Sequence, residues 1–566
     1  MRKQRNYPLY EVTPFSSIKE MLAIAVKEAG SNVAFKYKDD RNEVISVTYR
    51  GFQADTIALG SALAAIGLNH LHVACIGDNS YPWVTAYLTM LCSPGVFVPI
   101  DKELPAADIL HVISHSDSEA LFYTGSYEKM LCDHLGQLSR IKVFIGFDRA
   151  DDSEDGRFLS YQKLLKKGYE QVNAGDKADN EQRSDPDALS LLVYTSGTTG
   201  IAKGVMLSEH NLVSCVYYGL QISTVYDVCL SVLPYHHTYE AVCGILVSLH
   251  KHATICINEK LRAIVANLQL YKPTYLYLVP AFTEMFYKKI WSTAEKEKKD
   301  KGLRFLIKVS NGLRWIGIDR RRQFFASIHD VFGGRLKKIV CGGAPIRPEI
   351  GEFFDNIGIT LVNGYGITEC SPLVCANRDF FNDWSTTGVK LPCIEIKIEE
   401  KNEDGIGEIC VKGDTVMLGY YKNEAETKRC IIDGWFYTGD YGFLNDEGQL
   451  AITGRKKNLI VLSNGKNIYP EEIENYIYSI PYVKEVIVKS IKDESGGETA
   501  LCAEVFLDND QITDMKVANP AEILKRDIGA LLDKLPSYKH IQKIILRSTE
   551  FDKTTSKKIK RSSDPV

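Results

Sequence analysis

Residues 195–204 read Thr-Ser-Gly-Thr-Thr-Gly-Ile-Ala-Lys-Gly. Gly197 and Gly200 let backbone N–H groups approach an anion closely. The hydroxyls of Thr195, Ser196, Thr198 and Thr199 add donors, and Lys203 adds a point charge. This is the chemistry of a phosphate grip. It is not a Walker loop, whose G-x-x-x-x-G-K-S/T spacing is absent: Gly197 and Gly200 are too close, and Lys203 is followed by Gly204. The apolar run 191–193, with Tyr194 behind it, reads as a buried strand that empties into this loop.

Two further strand candidates end in glycine-rich turns. The run 337–341 leads into Gly342-Gly343-Ala344-Pro345, and 359–362 leads into Asn363-Gly364-Tyr365-Gly366. In an open α/β sheet, ligands sit at the carboxyl ends of strands, so the three turns are expected to share a site. The pair His236-His237 with Glu240 matches neither H-E-x-x-H nor any Cys/His zinc framework. Cys341 and Cys370 lie near these turns, with nothing beside them to argue for a nucleophile, and read as buried thiols.

The elements that must hold these residues alternate. A helix over 54–66 stops at Gly67, a strand follows at 72–76, a helix at 81–91 and a second strand at 95–100. Such alternation predicts an α/β fold with a mainly parallel sheet. Residues 151–187 are polar and read as a surface excursion. After the phosphate loop, Ser208 caps a helix to about residue 220, and strands follow at 228–233, 254–257 and 275–279. The long basic stretch 282–335 has helical period, and its KKD and RRR clusters read as solvated helix faces. Beyond Gly454 the texture changes to a charged, hinge-like stretch, 455–458, followed by short strands at 486–489, 500–507 and 541–546 and a helix at 521–535. The expected organisation is a large N-terminal domain of layered α/β subdomains, 1–454, and a small mobile α+β domain, 455–566.

At 566 residues the chain exceeds what one core supports. It is 45% hydrophobic and 25% charged, with a formal net charge of −4, which gives no reason to expect a nucleic-acid partner. Fourteen cysteines without a C-x-x-C pair suggest scattered reduced thiols and a cytoplasmic setting. The basic N-terminus lacks the apolar region of a signal peptide. The most apolar stretch, 83–100, is broken by Ser93-Pro94-Gly95 and falls short of a membrane span. An integral membrane segment is not expected; peripheral membrane contact stays open.

The segments TSGTTGIAKG, LPYHHTYE, CGGAPI, NGYGITE, GWFYTGDYG, GRKKNLIVLSNGKNIYPEEIE and TTSKKIKR occur in this order along nearly the whole chain. In order and rough spacing they resemble the adenylate-forming superfamily of acyl-CoA synthetases, luciferases and peptide-synthetase adenylation domains. Within it, the chain looks most like bacterial long-chain fatty-acid–CoA ligases. The resemblance implies that a fatty acid is activated with ATP and Mg2+ to an acyl-adenylate, with release of pyrophosphate. The acyl group then passes to CoA.

The resemblance also implies roles. Thr195 to Gly200 with Lys203 would hold the β- and γ-phosphates, and Glu369 with Thr195 would hold Mg2+. Tyr365 would stack on adenine, within a pocket lined by Gly343, Ala344, Pro345, Asn363, Gly364, Gly366 and Thr368. Asp440 would accept the ribose hydroxyls, with Arg455 near the ribose and α-phosphate. His237 would lie beside the acyl carboxylate, with Tyr235 and Tyr239 near the pocket entrance. Lys457 falls at the hinge. Lys558 would bridge the carboxylate and the α-phosphate, with Lys557 as the alternative, because Lys557 replaces the glycine of the usual setting. A second departure is Ala202, where proline is usual. Transfer to an acyl carrier protein, a non-catalytic acyl or nucleotide sensor, and a simple ATPase are the competing readings; the last lacks Walker spacing.

Overall fold

The computed structural model describes residues 6–175, 183, 185–195, 202–462, 466–492, 498–514, 519–533, 535–553, 559 and 561. The chain forms two compact units: Met1–Ile396 with Val411–Phe436, and Lys397–Cys410 with Tyr437–Val566.

The first unit is built on two large sheets. One runs Gly419–Tyr420, Lys203–Ser208, Leu189–Thr195, Val96–Ile100, His72–Ile76, Ala120–Tyr123, Val143–Gly146, Phe158–Ser160 in spatial order. From Leu189–Thr195 outward to Phe158–Ser160 its neighbours are parallel. Parallel strands covered on both faces need unbroken apolar runs. Val96–Ile100 and Ala120–Tyr123 are accordingly buried at every position. The other sheet has nine strands, with Tyr275–Leu278, Lys338–Cys341 and Thr360–Gly366 adjacent and parallel at its centre.

Helices begin where the sequence supplies caps. Ser80 accepts from the Trp83 amide at the start of Tyr81–Leu91, and Ser208 forms a reciprocal box with Asn211 at the start of Glu209–Ile222. Two expectations change and a third is refined. The stretch 151–187 is not a plain surface excursion: Phe158–Ser160 adds a strand to the sheet, and Tyr161–Asn173 packs on Tyr49–Ala65. Gly168 makes that approach feasible, because a Cβ there would lie 1.8 Å from the Ala58 carbonyl oxygen. Second, 363–366 is not a loop. The strand continues through Gly366, because Gly364, Tyr365 and Gly366 pair antiparallel with Leu373–Ala376. Third, the basic stretch divides into helices Pro280–Lys296, Asp300–Trp315, Arg321–Phe324 and Ala326–Val331.

The second unit contains a three-stranded sheet, Val483–Lys492, Glu498–Leu507 and Ile541–Leu546, covered by helices Pro470–Ile477 and Pro520–Leu532. The hinge-like stretch lies within this unit. There Lys456–Asn458 forms a single 3-10 turn directly after the strand Leu450–Arg455.

Candidate active site

Thr195 ends one strand and Lys203 begins the next, and the two are cross-strand partners. The stretch expected to grip phosphate therefore joins two antiparallel strands; its residues Ser196, Gly197, Thr198, Thr199, Gly200 and Ile201 lie outside the described residues. The short strand Gly419–Tyr420 adds to the outer side of Lys203–Ser208, placing Tyr420 opposite Val205. Two contacts follow from that register. The Lys203 ammonium lies 5.1 Å from the Tyr420 ring centroid, and the Tyr420 hydroxyl donates to Glu369 Oε1 at 2.9 Å.

Glu369 sits on the 3-10 turn Thr368–Cys370, and the Met417 amide donates to its carbonyl at 2.9 Å. Lys203 is also ion-paired to Glu426, which Arg429 approaches at 2.8 Å. Burial works against the charge on Glu426, yet the hydrogen bonds from Lys203 and Arg429 hold its carboxyl below the usual range. The Tyr420 phenol is pushed upward by burial and then by the neighbouring Glu369 charge, so it remains a donor. The sequence reading missed Tyr420 and Glu426. Their link to Lys203 is made by strand addition between distant segments, for which no local spacing is a signal.

Among the described residues, no cluster of three or more His, Cys, Asp or Glu is arranged to hold a metal ion. In the assignment that the resemblance implies, the donors would be the Glu369 carboxylate and the hydroxyl of Thr195. That set suits a hard cation that takes most of its ligands from phosphate and water, as Mg2+ does, and not an all-protein cage.

Neighbouring strands bring the two glycine-rich segments together, with Cys341 and Asn363 as cross-strand partners. Gly343 has φ +85°, a left-handed conformation that explains the glycine, and Gly343, Ala344 and Pro345 are exposed beyond it. Tyr365 and Gly366 lie on the continued strand, Asn363 donates to the Thr386 carbonyl at 3.2 Å, and Thr368 opens the turn that carries Glu369. Cys341 is buried, which pushes its thiol up to about 12, and Cys370 is likewise buried.

The segment 235–240 is tied to the same strand ends. The Tyr239 hydroxyl donates to the Val340 carbonyl at 3.0 Å, and its ring backs Gly342, where a Cβ would meet Cζ at 3.2 Å. Tyr235 is interior, not at an entrance: it is 1% exposed, with its ring 5.2 Å from that of Trp83. His237 packs against His236 with the rings tilted and 4.3 Å between centroids, and burial followed by His237 drives His236 well below the usual histidine range. Residues Tyr239–Leu246 form a π-helical turn. Its Glu240 is fully buried, accepts from Ser231, and is pushed up to about 8 by burial.

In the second unit, Asp440 and Arg455 are cross-strand partners, and Arg455 Nε lies 2.8 Å from Asp440 Oδ1. Asp440 is 3% exposed. Lys457 follows on the turn, where burial and then the charges of Arg455 and Arg561 lower its ammonium below the ordinary range. Lys557 and Lys558 lie outside the described residues. Their surroundings are partly described: Ile559 bridges to Lys553, and Arg561 is ion-paired to Glu474 and donates to the Val488 carbonyl at 3.3 Å. Burial raises Glu474 to about 7, with Arg561 opposing that shift.

Comparison with known proteins agrees with this layout. The fatty acyl-CoA synthetase B of Dictyostelium discoideum is 29% identical over 509 residues, 83% of this chain and 74% of that one. The long-chain-fatty-acid–CoA ligase 6 of Rattus norvegicus is 31% identical over 443 residues, 72% of this chain and 62% of the rat protein. Among solved structures, an anthranilate CoA ligase in complex with anthranoyl-AMP superposes with a TM-score of 0.76 at 17% identity, covering 97% of this chain and 96% of its own. That likeness carries the fold. The AMP-binding enzyme family matches residues 22–421, the span that holds the phosphate loop, the paired glycine-rich segments and the Lys203–Tyr420–Glu369 contacts. The chain belongs to the AMP-binding enzymes, the adenylate-forming family.

Proposed function

We propose that this protein is an AMP-forming acid–thiol ligase that converts a long-chain fatty acid, ATP and CoA into acyl-CoA, AMP and pyrophosphate. The observation that carries the reading is the contact chain from Lys203 through Tyr420 to Glu369. It brings one cation and one magnesium-compatible carboxylate to the same tyrosine, at the start of the strand that follows the proposed phosphate loop. The names of the relatives support the long-chain substrate class and CoA as acceptor.

The chemistry asks little of a general base, because a fatty acid is already ionised at neutral pH. A carboxylate oxygen forms the bond to the α-phosphorus, and the bond to pyrophosphate breaks. Negative charge then gathers on the leaving group, so preorganised cations are the main requirement. A unit charge pair about 4 Å apart at an effective dielectric near 20 is worth roughly 4 kcal/mol. Lys203, released from Glu426, supplies one such charge to the β- and γ-phosphates. Bound Mg2+, held by Glu369 and Thr195, would neutralise phosphate charge. Lys558 supplies a further charge to the carboxylate and α-phosphate. Tyr365 stacks on adenine, Asp440 accepts the ribose hydroxyls, and Arg455 lies near the ribose and α-phosphate. His237 lies beside the acyl carboxylate, with Tyr239 near the pocket entrance. In the second half-reaction the CoA sulfur bonds to the acyl carbon and AMP leaves. Residues 455–566 act as the mobile lid, turning at Lys457.

The test is pyrophosphate exchange into ATP across acids of increasing chain length, followed by thioester formation with CoA and with acyl carrier protein. Exchange should require both acid and Mg2+, peak with long-chain acids, and yield product with CoA. ATP hydrolysis without an acid, or exchange confined to short acids, would overturn the reading. Product with carrier protein alone would replace the acceptor.

A further inference from the structure

The helical hairpin of the first unit carries a surface that the reaction does not use. On Asp300–Trp315 the inner face is defined by its contacts. Ser310 is 1% exposed, Asn311 Nδ2 donates to Asn356 Oδ1 at 2.8 Å, and Arg314 pairs with Asp355 at 2.9 Å. The opposite face is apolar and open. Phe305, Val309 and Ile316 recur with helical spacing and share it, at 68%, 37% and 62% exposure. Gly312 completes the stripe, and a Cβ there would meet nothing within 4 Å. Trp315, 84% exposed, and Ile318 extend the apolar surface. Exposed Lys301 and Lys308 flank it along one side.

Charge is concentrated in the same place. Residues 288–322 hold twelve Lys and Arg against four Asp and Glu, in a chain whose formal net charge is −4. Most of these cations are engaged elsewhere: Arg314 and Arg321 pair with Asp355, Arg304 lies over the Trp291 ring, Arg322 donates to the Gly334 and Leu336 carbonyls, and Lys299 pairs with Glu297. The lysines beside the apolar stripe are not among those pairs.

An exposed apolar stripe with lysines along its edge has the chemistry of a helix lying in a bilayer interface. Its aromatic and aliphatic side chains would enter the headgroup–acyl boundary, while the ammonium groups meet anionic headgroups. A second copy of the chain fits less well, because an antiparallel two-fold contact through this face would bring the two lysine-bearing edges together. We propose that the outer face of Asp300–Trp315, with Trp315, Ile316 and Ile318, docks this protein on an anionic lipid surface. The inference stands apart from the assigned reaction, since it needs only this face and its charge.

The test is vesicle flotation of the full chain, using neutral phosphatidylcholine vesicles and vesicles with roughly a third of the lipid replaced by phosphatidylglycerol. The protein should float with the anionic vesicles, with binding that weakens as salt rises. Its tryptophan emission should shift to the blue on binding, a shift lost in Trp315→Phe. Phe305→Ser with Trp315→Ser, and separately Lys301→Glu with Lys308→Glu, should each reduce binding by about tenfold or more. All four side chains are exposed, so the melting temperature should hold. Wild-type binding by both double variants would overturn the proposal, as would equal binding to neutral and anionic vesicles. So would a concentration-dependent dimer that Phe305→Ser with Trp315→Ser dissociates, or preference for a nucleic-acid duplex over vesicles.

Discussion

The Tyr420 hydroxyl donates to Glu369 Oε1 at 2.9 Å while its ring faces the Lys203 ammonium, so one side chain contacts both the phosphate-loop lysine and the carboxylate assigned to the metal. Hydrogen bonds to a charged group are the stronger kind. Tyr420→Phe keeps the ring and removes the donor, so it should raise the Mg2+ concentration needed for half-maximal pyrophosphate exchange by about tenfold. Tyr420→Leu, which also removes the ring, should weaken ATP binding further. Titrating Mg2+ at fixed ATP checks both; unchanged Mg2+ dependence in Tyr420→Phe would mean the contact is only structural.

Arg561 is held in the second unit by Glu474 and the Val488 carbonyl. Lys558→Ala should abolish adenylate formation yet still turn over a supplied acyl-adenylate. Arg561→Ala should show the same split in milder form, because it loosens the segment that bears the lysine. It also removes the charge that opposes the burial of Glu474, so Glu474 should rise above about 7 and thermal stability should fall. Single-turnover assays of each half-reaction separate the two effects. Equal loss of both halves in Lys558→Ala would assign that lysine to the fold.

Glu240 binds its proton more tightly in the folded protein, at about 8 against an ordinary 4.5. Its contribution to stability is complete below about pH 4.5 and is lost as pH rises through 8, with a total on the order of 5 kcal/mol. The neutral isostere Glu240→Gln should therefore flatten the decline of unfolding free energy between pH 6 and 9 and exceed wild type at the alkaline end. Denaturant melts across that range measure it. Parallel curves for the two proteins would show that Glu240 does not set the slope.

Gly168 has room for hydrogen alone, since a Cβ would stand 1.8 Å from the Ala58 carbonyl oxygen. On an isolated helix, Gly168→Ala would stabilise slightly; here it should cost about 2–3 kcal/mol, because Tyr161–Asn173 must back away from Tyr49–Ala65. A lowered thermal midpoint with little change in ATP affinity is the expected signature.

The strands and caps of the first unit were readable because each depends on neighbours in sequence. His72–Ile76 and Thr254–Ile257 have the bounds that their apolar runs predict, and Ser208 caps the helix expected of it. The stretch 151–187 was misread because polar composition hides an amphipathic helix, whose burial rests on Gly168 meeting another helix. The segment 363–366 was misread because glycines suggest a turn, while Leu373–Ala376 gives their backbone a partner.

By itself, the sequence determined the kind of chemistry. Glycines, hydroxyls and Lys203 at their spacing point to the proposed phosphate loop, and the order of the motifs identifies the family, because both are properties of residues close in the chain. The tertiary structure decided which side chains meet. Tyr420 reaches Lys203 and Glu369 only because Gly419–Tyr420 pairs with Lys203–Ser208. Phe305, Val309 and Ile316 are left bare only because Ser310, Asn311 and Arg314 turn inward. Cross-strand register and helix orientation are settled by burial summed over the whole unit, which no local pattern records.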